Sequence, residues 1–115
     1  MTSEQIKGLA DSWILSEGVE PFSSQLDDLV FNDPETGWLV IQEIAARELQ
    51  EEVAAVFAAG PVENLLARHG RQFIDRVEEK ARNDRKFNFI LGGVWQNMMP
   101  DAIWERVKKI RTEIW

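Results

Sequence analysis

Residues 32–45 read Asn32-Asp33-Pro34-Glu35-Thr36-Gly37-Trp38-Leu39-Val40-Ile41-Gln42-Glu43-Ile44-Ala45. The first four form a helix restart signal. Asp33 can cap, and Pro34 suits the first helical position, where a missing N–H costs nothing. Glu35 sits favourably in the positive first turn. Trp38, Ile41, Ile44 and Ala45 then recur at three- and four-residue spacing, which is one apolar face of a helix.

The same pattern runs outward in both directions. Ile6, Leu9, Ala10, Trp13 and Ile14 make a first stripe, entered through Thr2 or Ser3 as N-cap and closed before Gly18 and Pro21. Phe22, Leu26, Leu29 and Val30 make a second. Leu49, Val53, Val56 and Phe57 follow the quoted stretch. No Gly or Pro separates them from it, so residues 34–59 allow one helix or two, and the acids Glu48, Glu51 and Glu52 favour a break near Glu48–Gln50. Gly60-Pro61 is the clearest punctuation, with Gly60 expected at φ > 0 to close one helix and Pro61 to open the next. Val62, Leu65, Leu66 and His69 form a stripe ending at Gly70, and Phe73, Ile74, Val77 and Ala81 one ending near Asn83-Asp84. Phe87, Ile90, Leu91, Val94 and Trp95 form another.

Gly92-Gly93 interrupts that last stripe, so the helix frays there or something packs against bare backbone. Gln96-Asn97-Met98-Met99 reads as a loop. Pro100-Asp101 opens a final helix with Ile103, Val107, Ile110 and Ile114 facing inward. No segment alternates with a period of two, so no sheet is predicted. The expectation is an all-α compact array of about six to seven short helices in one domain, residues 1–115. Stacked antiparallel pairs, as in helical-repeat proteins, fit the pattern, though no internal repeat is found.

The segments Gly60-Pro61-Val62-Glu63-Asn64-Leu65-Leu66-Ala67-Arg68-His69-Gly70, Ile74-Asp75-Arg76 and Gly93-Val94-Trp95 resemble the signature of a family of small bacterial proteins known only as a domain of unknown function. The resemblance covers roughly residues 34–115 and leaves an N-terminal helix pair, residues 1–33, outside. It implies an all-helical bacterial cytoplasmic protein and carries no established activity.

Composition narrows the chemistry. The 115 residues hold no Cys and a single His, which removes disulfides, thiol catalysis, Cys-ligated metals and multi-histidine sites. The start of the chain lacks the basic and apolar regions of a signal peptide, and no apolar run approaches the length needed to span a membrane. The cytoplasm is the default location. The net charge of -7 is uneven. Residues 1–66 carry 13 acids against Lys7 and Arg47, a balance of −11, whereas residues 67–115 carry 11 bases and seven acids, a balance of +4. Such a split speaks about partners rather than fold.

His69 is the only side chain that ordinarily titrates near neutrality. At a helix end beside core residues, it reads first as a structural group bonding terminal carbonyls or a neighbour such as Asp75 or Glu63. A role as general base is the weaker alternative, with no nucleophile or ligand spacing nearby. Glu63 is explained by its first-turn position. Asp75 shares a face with Glu79, and Arg76 is placed to pair with Glu79. Asp27-Asp28 and Glu51-Glu52 are adjacent and point apart on a helix, so neither pair suits an acid/base couple. No catalytic residue, cofactor or metal site is assigned.

Trp13, Trp38 and Trp95 lie on apolar stripes and are expected in the core. Trp104 sits beside its stripe. With the loop Trp95, Gln96, Asn97, Met98 and Met99 it forms the best candidate for a partner-facing region, because Trp and adaptable Met recur at contact surfaces. The acids Asp27, Asp28, Glu51 and Glu52 are candidates for an acidic face. The favoured reading is a non-catalytic protein-binding module of inhibitor or immunity type, meeting a partner with a basic surface. The alternatives are a nucleic-acid contact through Arg68, Arg71, Arg82, Arg85, Lys86, Lys108, Lys109 and Arg111, and a small enzyme centred on His69.

Overall fold

The computed structural model describes residues 1–115 and is helical throughout, without strands. Seven α-helices follow in order: α1 (Ser3–Leu15), α2 (Phe22–Asn32), α3 (Pro34–Ala45), α4 (Glu51–Phe57), α5 (Glu63–Asn83), α6 (Arg85–Leu91) and α7 (Asp101–Ile110), with a π-helical turn, Ala58–Val62, joining α4 to α5.

Local chemistry explains most boundaries. Thr2 caps α1 in a reciprocal box: its Oγ1 accepts the Gln5 N–H at 3.1 Å, and the Gln5 side chain accepts the Thr2 N–H at 2.8 Å. Asp33 caps α3 by accepting the Thr36 hydroxyl at 2.7 Å, with Pro34 at the first position. Asp84 caps α6 by accepting the Phe87 N–H at 3.2 Å. The expected break between α3 and α4 is present at residues 46–50, so residues 34–59 are not one helix.

Gly60-Pro61 departs from expectation. Gly60 is not at positive φ, and the chain runs through it helically. An α-helical turn would set the proline ring against the carbonyl four residues back. The wider π turn accommodates Pro61 and lets α4 continue into α5. The real irregularity comes later. At His69 the backbone leaves helical geometry (φ -133°, ψ 31°) and kinks α5 without ending it, although the stripe pattern had placed a terminus at Gly70.

One core holds the array together. Trp13 meets Phe57 edge-on at 5.7 Å, and Trp38 sits between Phe73 and Phe87 at 6.0 and 5.9 Å. Each such buried aromatic contributes on the order of 2–3 kcal/mol through removal of apolar surface from water. Helices α1, α2 and α3 pack on one another, α5 touches α2, α3, α6 and α7, and α4 lies against α6. Two glycines permit close crossings. A Cβ on Gly37 would sit 3.1 Å from the backbone of Val30, and one on Gly70 would sit 2.9 Å from Ile103.

Three apolar residues counted toward the core lie outside it, and one of them, Val56 of α4, is exposed although its helix is formed as expected. Ile114 falls beyond the end of α7 and is exposed. Trp95 falls beyond the end of α6, because the helix stops at Leu91 and the stripe loses its phase. No helix is long and apolar enough to cross a membrane.

Candidate partner-binding surface

Two segments outside the helices, the loop 92–100 and the strap 111–115, shape the surface around α6. The loop is anchored by Glu63. This carboxylate is buried at 6% exposure, and it accepts the backbone N–H of Trp95 at 2.8 Å and the side-chain amide of Asn97. Its first-turn position had explained Glu63 without a partner; only the return of the chain 32 residues later supplies one. Asn97 adopts φ 42°, a left-handed conformation that asparagine tolerates better than most residues. Gln96 closes the loop by donating to the Met99 carbonyl and to Asp101.

The anchored loop turns Trp95 (53% exposed) and Met98 (86%) to solvent and Met99 (3%) into the core. Trp95 and Met98 therefore remain candidates for contact, whereas Met99 does not: its side chain is packed inside. Trp104 is half-buried, with the guanidinium of Arg111 at 4.8 Å over its ring and the Lys108 ammonium at 5.8 Å. Its ring is thus partly covered from within.

The strap is held by groups that stripe reading had left unassigned. Asn88 is buried, donates to the carbonyls of Ala81 and Ile110, and accepts the backbone N–H and hydroxyl of Thr112 at 2.9 and 3.0 Å. Arg111 turns inward and donates to the Val94 carbonyl at 3.0 Å. Burial pushes its pKa down from the usual arginine value. Trp115 donates its backbone N–H to Gly92 at 2.9 Å and its indole N–H to Phe89 at 2.6 Å. Its ring stacks on Phe89 at 5.1 Å and 15°. A Cβ on Gly92 would approach the indole and the Glu113 carbonyl at 2.5 Å, and one on Gly93 would meet the indole at 2.7 Å. Close packing on bare backbone is thus why two glycines end α6.

Beside this stack lies an open groove of about 400 Å³, lined by Glu51, Glu52, Ala54 and Ala55 of α4 and by Phe89 and Trp115. Phe89 is 45% and Trp115 37% exposed. An adjoining cleft of about 320 Å³ shares Ala54 and Phe89 and adds Leu49, Arg85 and Lys86. Phe89 is the residue the stripe pattern missed. It lies one position off the Phe87–Ile90–Leu91 face, which on a helix means outward; the groove around it depends on α4 and the strap.

The acids fall into distinct settings. Glu35 binds Arg76 through both oxygens at 2.7 and 2.9 Å, so Arg76 pairs across to α3 and not with Glu79. Glu48 pairs with Lys86 at 2.5 Å, and Asp11 and Glu43 pair with Arg47. Asp75 and Glu78 share Arg106 of α7. Glu51 and Glu52 are exposed and make no ion pair. Asp27 is half-buried near Glu20 and Asp28. Desolvation first, and those two charges second, push its pKa above the ordinary aspartate value.

His69 is half-buried, and its Nε2 lies 3.2 Å from the Phe31 carbonyl in the last turn of α2. The expected tie to a helix-end carbonyl is present, but the carbonyl belongs to another helix, and neither Asp75 nor Glu63 is its partner. No three His, Asp or Glu side chains converge in a metal-holding group. Among the bases, Arg82, Lys86 and Lys108 are engaged by Glu78, Glu48 and Glu105, and Arg68 lies 4.6 Å over the Phe31 ring.

A family model described as "Family of unknown function (DUF6869)" matches residues 19–114, so the match takes in α2 and leaves α1 before it. No curated protein and no solved structure matches the chain.

Proposed function

We propose, for a chain that belongs to the family of unknown function DUF6869, a non-catalytic protein-binding role. The observation that carries this reading is the exposure of two tryptophans, a phenylalanine and a methionine in segments fixed by buried polar groups: Phe89 on α6, Trp95 and Met98 in the loop after it, and Trp115 in the strap after α7. Aromatic and methionine side chains held rigidly at a surface supply contact area at small entropic cost, and they recur among residues that dominate binding. Both exposed segments are fixed, the loop by Glu63 and the strap by Asn88 and Arg111, so little ordering is left for a partner to impose.

The finer form of the proposal is an inhibitor or immunity-type module for a protein with a basic surface. The net charge of -7 and the unpaired Glu51 and Glu52 support it, since complementary charge speeds encounter and disfavours wrong partners. The nucleic-acid reading has less support. Arg111 faces inward, and Arg82, Lys86 and Lys108 are engaged by carboxylates, which lowers the phosphate affinity of that half. The enzyme reading centred on His69 is weakened by the ring's tie to the Phe31 carbonyl.

The test compares the native chain with a variant carrying Trp95→Ala, Met98→Ser, Glu51→Gln and Glu52→Gln as bait in extract of its native cells. A protein recovered by the first and lost by the second, with both baits equally helical by circular dichroism, supports the proposal. Identical recovery by the two baits overturns it.

A further inference from the structure

We propose that the groove between α4 and the stacked Phe89–Trp115 pair receives the guanidinium of an arginine in a basic segment of the partner protein. This rests on the protein-binding reading and names the chemistry of one contact within it.

Three observations converge on the groove. The first is its aromatic wall. Phe89, Gly92 and Gly93, at i, i+3 and i+4, meet the indole from the side of α6. The exposed remainder of the ring lines the groove toward α4. A ring face is an attractive surface for a cation, and Trp is the best of the aromatic residues for that purpose. The second is charge. Glu51 and Glu52 line the same groove, are exposed, and lack ion pairs, whereas neighbouring Glu48 is already matched by Lys86. A cation entering here therefore meets two free carboxylates instead of displacing a resident base. The third is the floor. Ala54 and Ala55 leave room for the aliphatic stem of a long side chain, whose apolar methylenes lie well against alanine while the head group reaches the carboxylates.

Arginine fits this set better than lysine. Its flat guanidinium stacks on an indole and donates a fork of N–H groups to a carboxylate, whereas an ammonium is a compact, strongly hydrated point charge. The chain itself uses the same stacking: Arg111 lies 4.8 Å over Trp104, and Arg76 lies 4.7 Å over Phe73. In the groove the cation would come from outside. The adjoining cleft holds exposed Arg85, so basic side chains are admitted at the Glu51–Glu52 end and disfavoured at the other, which gives the bound segment a direction.

The probe is a blocked peptide, Ala-Arg-Ala-Ala-Arg-Ala, titrated into the full chain and followed by the indole N–H of Trp115 and the amides of residues 51–55 in NMR spectra. A companion peptide carries citrulline, the neutral shape-match of arginine, in place of both arginines. The expected result is saturable shifts confined to these signals, at millimolar affinity or tighter, with the citrulline peptide about ten-fold weaker or worse. Glu51→Gln with Glu52→Gln, two exposed substitutions that leave the aromatic wall intact, is expected to weaken the arginine peptide about five-fold or more. Absence of saturable shifts, equal binding of the citrulline peptide, or unchanged affinity in the double variant each overturns the proposal. The double variant also serves as bait. A partner that it retains but the four-residue surface variant loses overturns the arginine site while the protein-binding role stands. A partner lost by neither bait overturns both.

Discussion

The carboxylate of Glu63, at the start of α5, accepts the backbone N–H of Trp95 at 2.8 Å, joining two points 32 residues apart. The same carboxylate holds the side chain of Asn97, so one buried acid determines the course of the loop that exposes Trp95 and Met98. Its removal leaves a half-buried N–H without an acceptor. Glu63→Ala is expected to cost about 2–3 kcal/mol in urea unfolding, and Glu63→Gln, which retains an acceptor but not the charge, about 1 kcal/mol. A loss below about 0.5 kcal/mol for the alanine variant, within the range of ordinary surface changes, would show the acid to be idle.

Gly92→Ala tests the strap. The added methyl would meet the Glu113 carbonyl and the indole of Trp115 at 2.5 Å, and because one of these is backbone, no rotamer change relieves the contact. The expected result is release of residues 113–115, seen as loss of hydrogen-exchange protection at the Trp115 N–H, with a stability loss of about 1–3 kcal/mol. Gly8→Ala is the control. Gly8 is exposed in the middle of α1 with nothing within 4 Å of its Cβ position, so that variant gains about 1 kcal/mol from helix propensity. Retained protection at Trp115 in the Gly92 variant would contradict the packing described.

The two carboxylates Glu78 and Asp27 are expected to respond oppositely to pH. Hydrogen bonds from Arg106 hold Glu78 below the ordinary value of 4.5 despite partial burial, so the folded state favours its charged form. Its contribution is complete at neutral pH and is lost as pH falls below 4.5 through the lower folded pKa. Asp27 is held above its ordinary 3.8 by desolvation and by Glu20 and Asp28, so its charge opposes folding at neutral pH, and that penalty is relieved on acidification. Glu78→Gln should therefore lower Tm at pH 7 and converge on the native chain in strong acid, whereas Asp27→Asn should raise Tm at pH 7 and lose its advantage as Asp27 protonates. Thermal melts from pH 7 down to 2 distinguish these signs, and a Tm change of the same sign in both variants at pH 7 would contradict them.

His69→Ala removes a ring packed at the kink of α5 and its bond to the Phe31 carbonyl. The expected effect is a stability loss of about 1 kcal/mol, read as a lower Tm, together with retained partner recovery. Unchanged stability with partner binding abolished would assign His69 to the interface instead.

Much of the helical layout was readable along the chain. Thr2 and Asp33-Pro34 set helix starts through contacts within three residues, and the stripes through Trp13, Trp38 and Phe73 identified core faces, whereas Asp84, read only as the end of one helix, also caps the next. Periodicity misleads where a pattern outlives its helix. Trp95 and Ile114 kept helical spacing after α6 and α7 had ended, so periodicity assigned them to a core they do not reach. Punctuation misleads at Gly60-Pro61, where a widened turn accommodates a residue that ordinarily stops a helix. Within the candidate surface, Met98, Glu51 and Glu52 were legible as sulfur and acidic groups, and Trp95 only as the start of a partner-facing loop whose stripe pointed it inward, whereas Phe89 and Trp115 were not legible.

Those differences share one cause. Caps and stripes are local: their energetics are settled among residues a turn or two apart, so amino-acid order is sufficient to specify them, and with them an all-helical chain. The hydrogen-bond partners of Glu63, Arg76 and Trp115, and two of the three residues bonded to Asn88, come from 20 or more positions away. Which carboxylate is buried, which tryptophan faces water, and which glycines receive an indole depend on how whole helices pack. That packing turned Gly92-Gly93 from a local interruption into a seat for Trp115, and brought the unpaired acids of α4 to the edge of an aromatic groove.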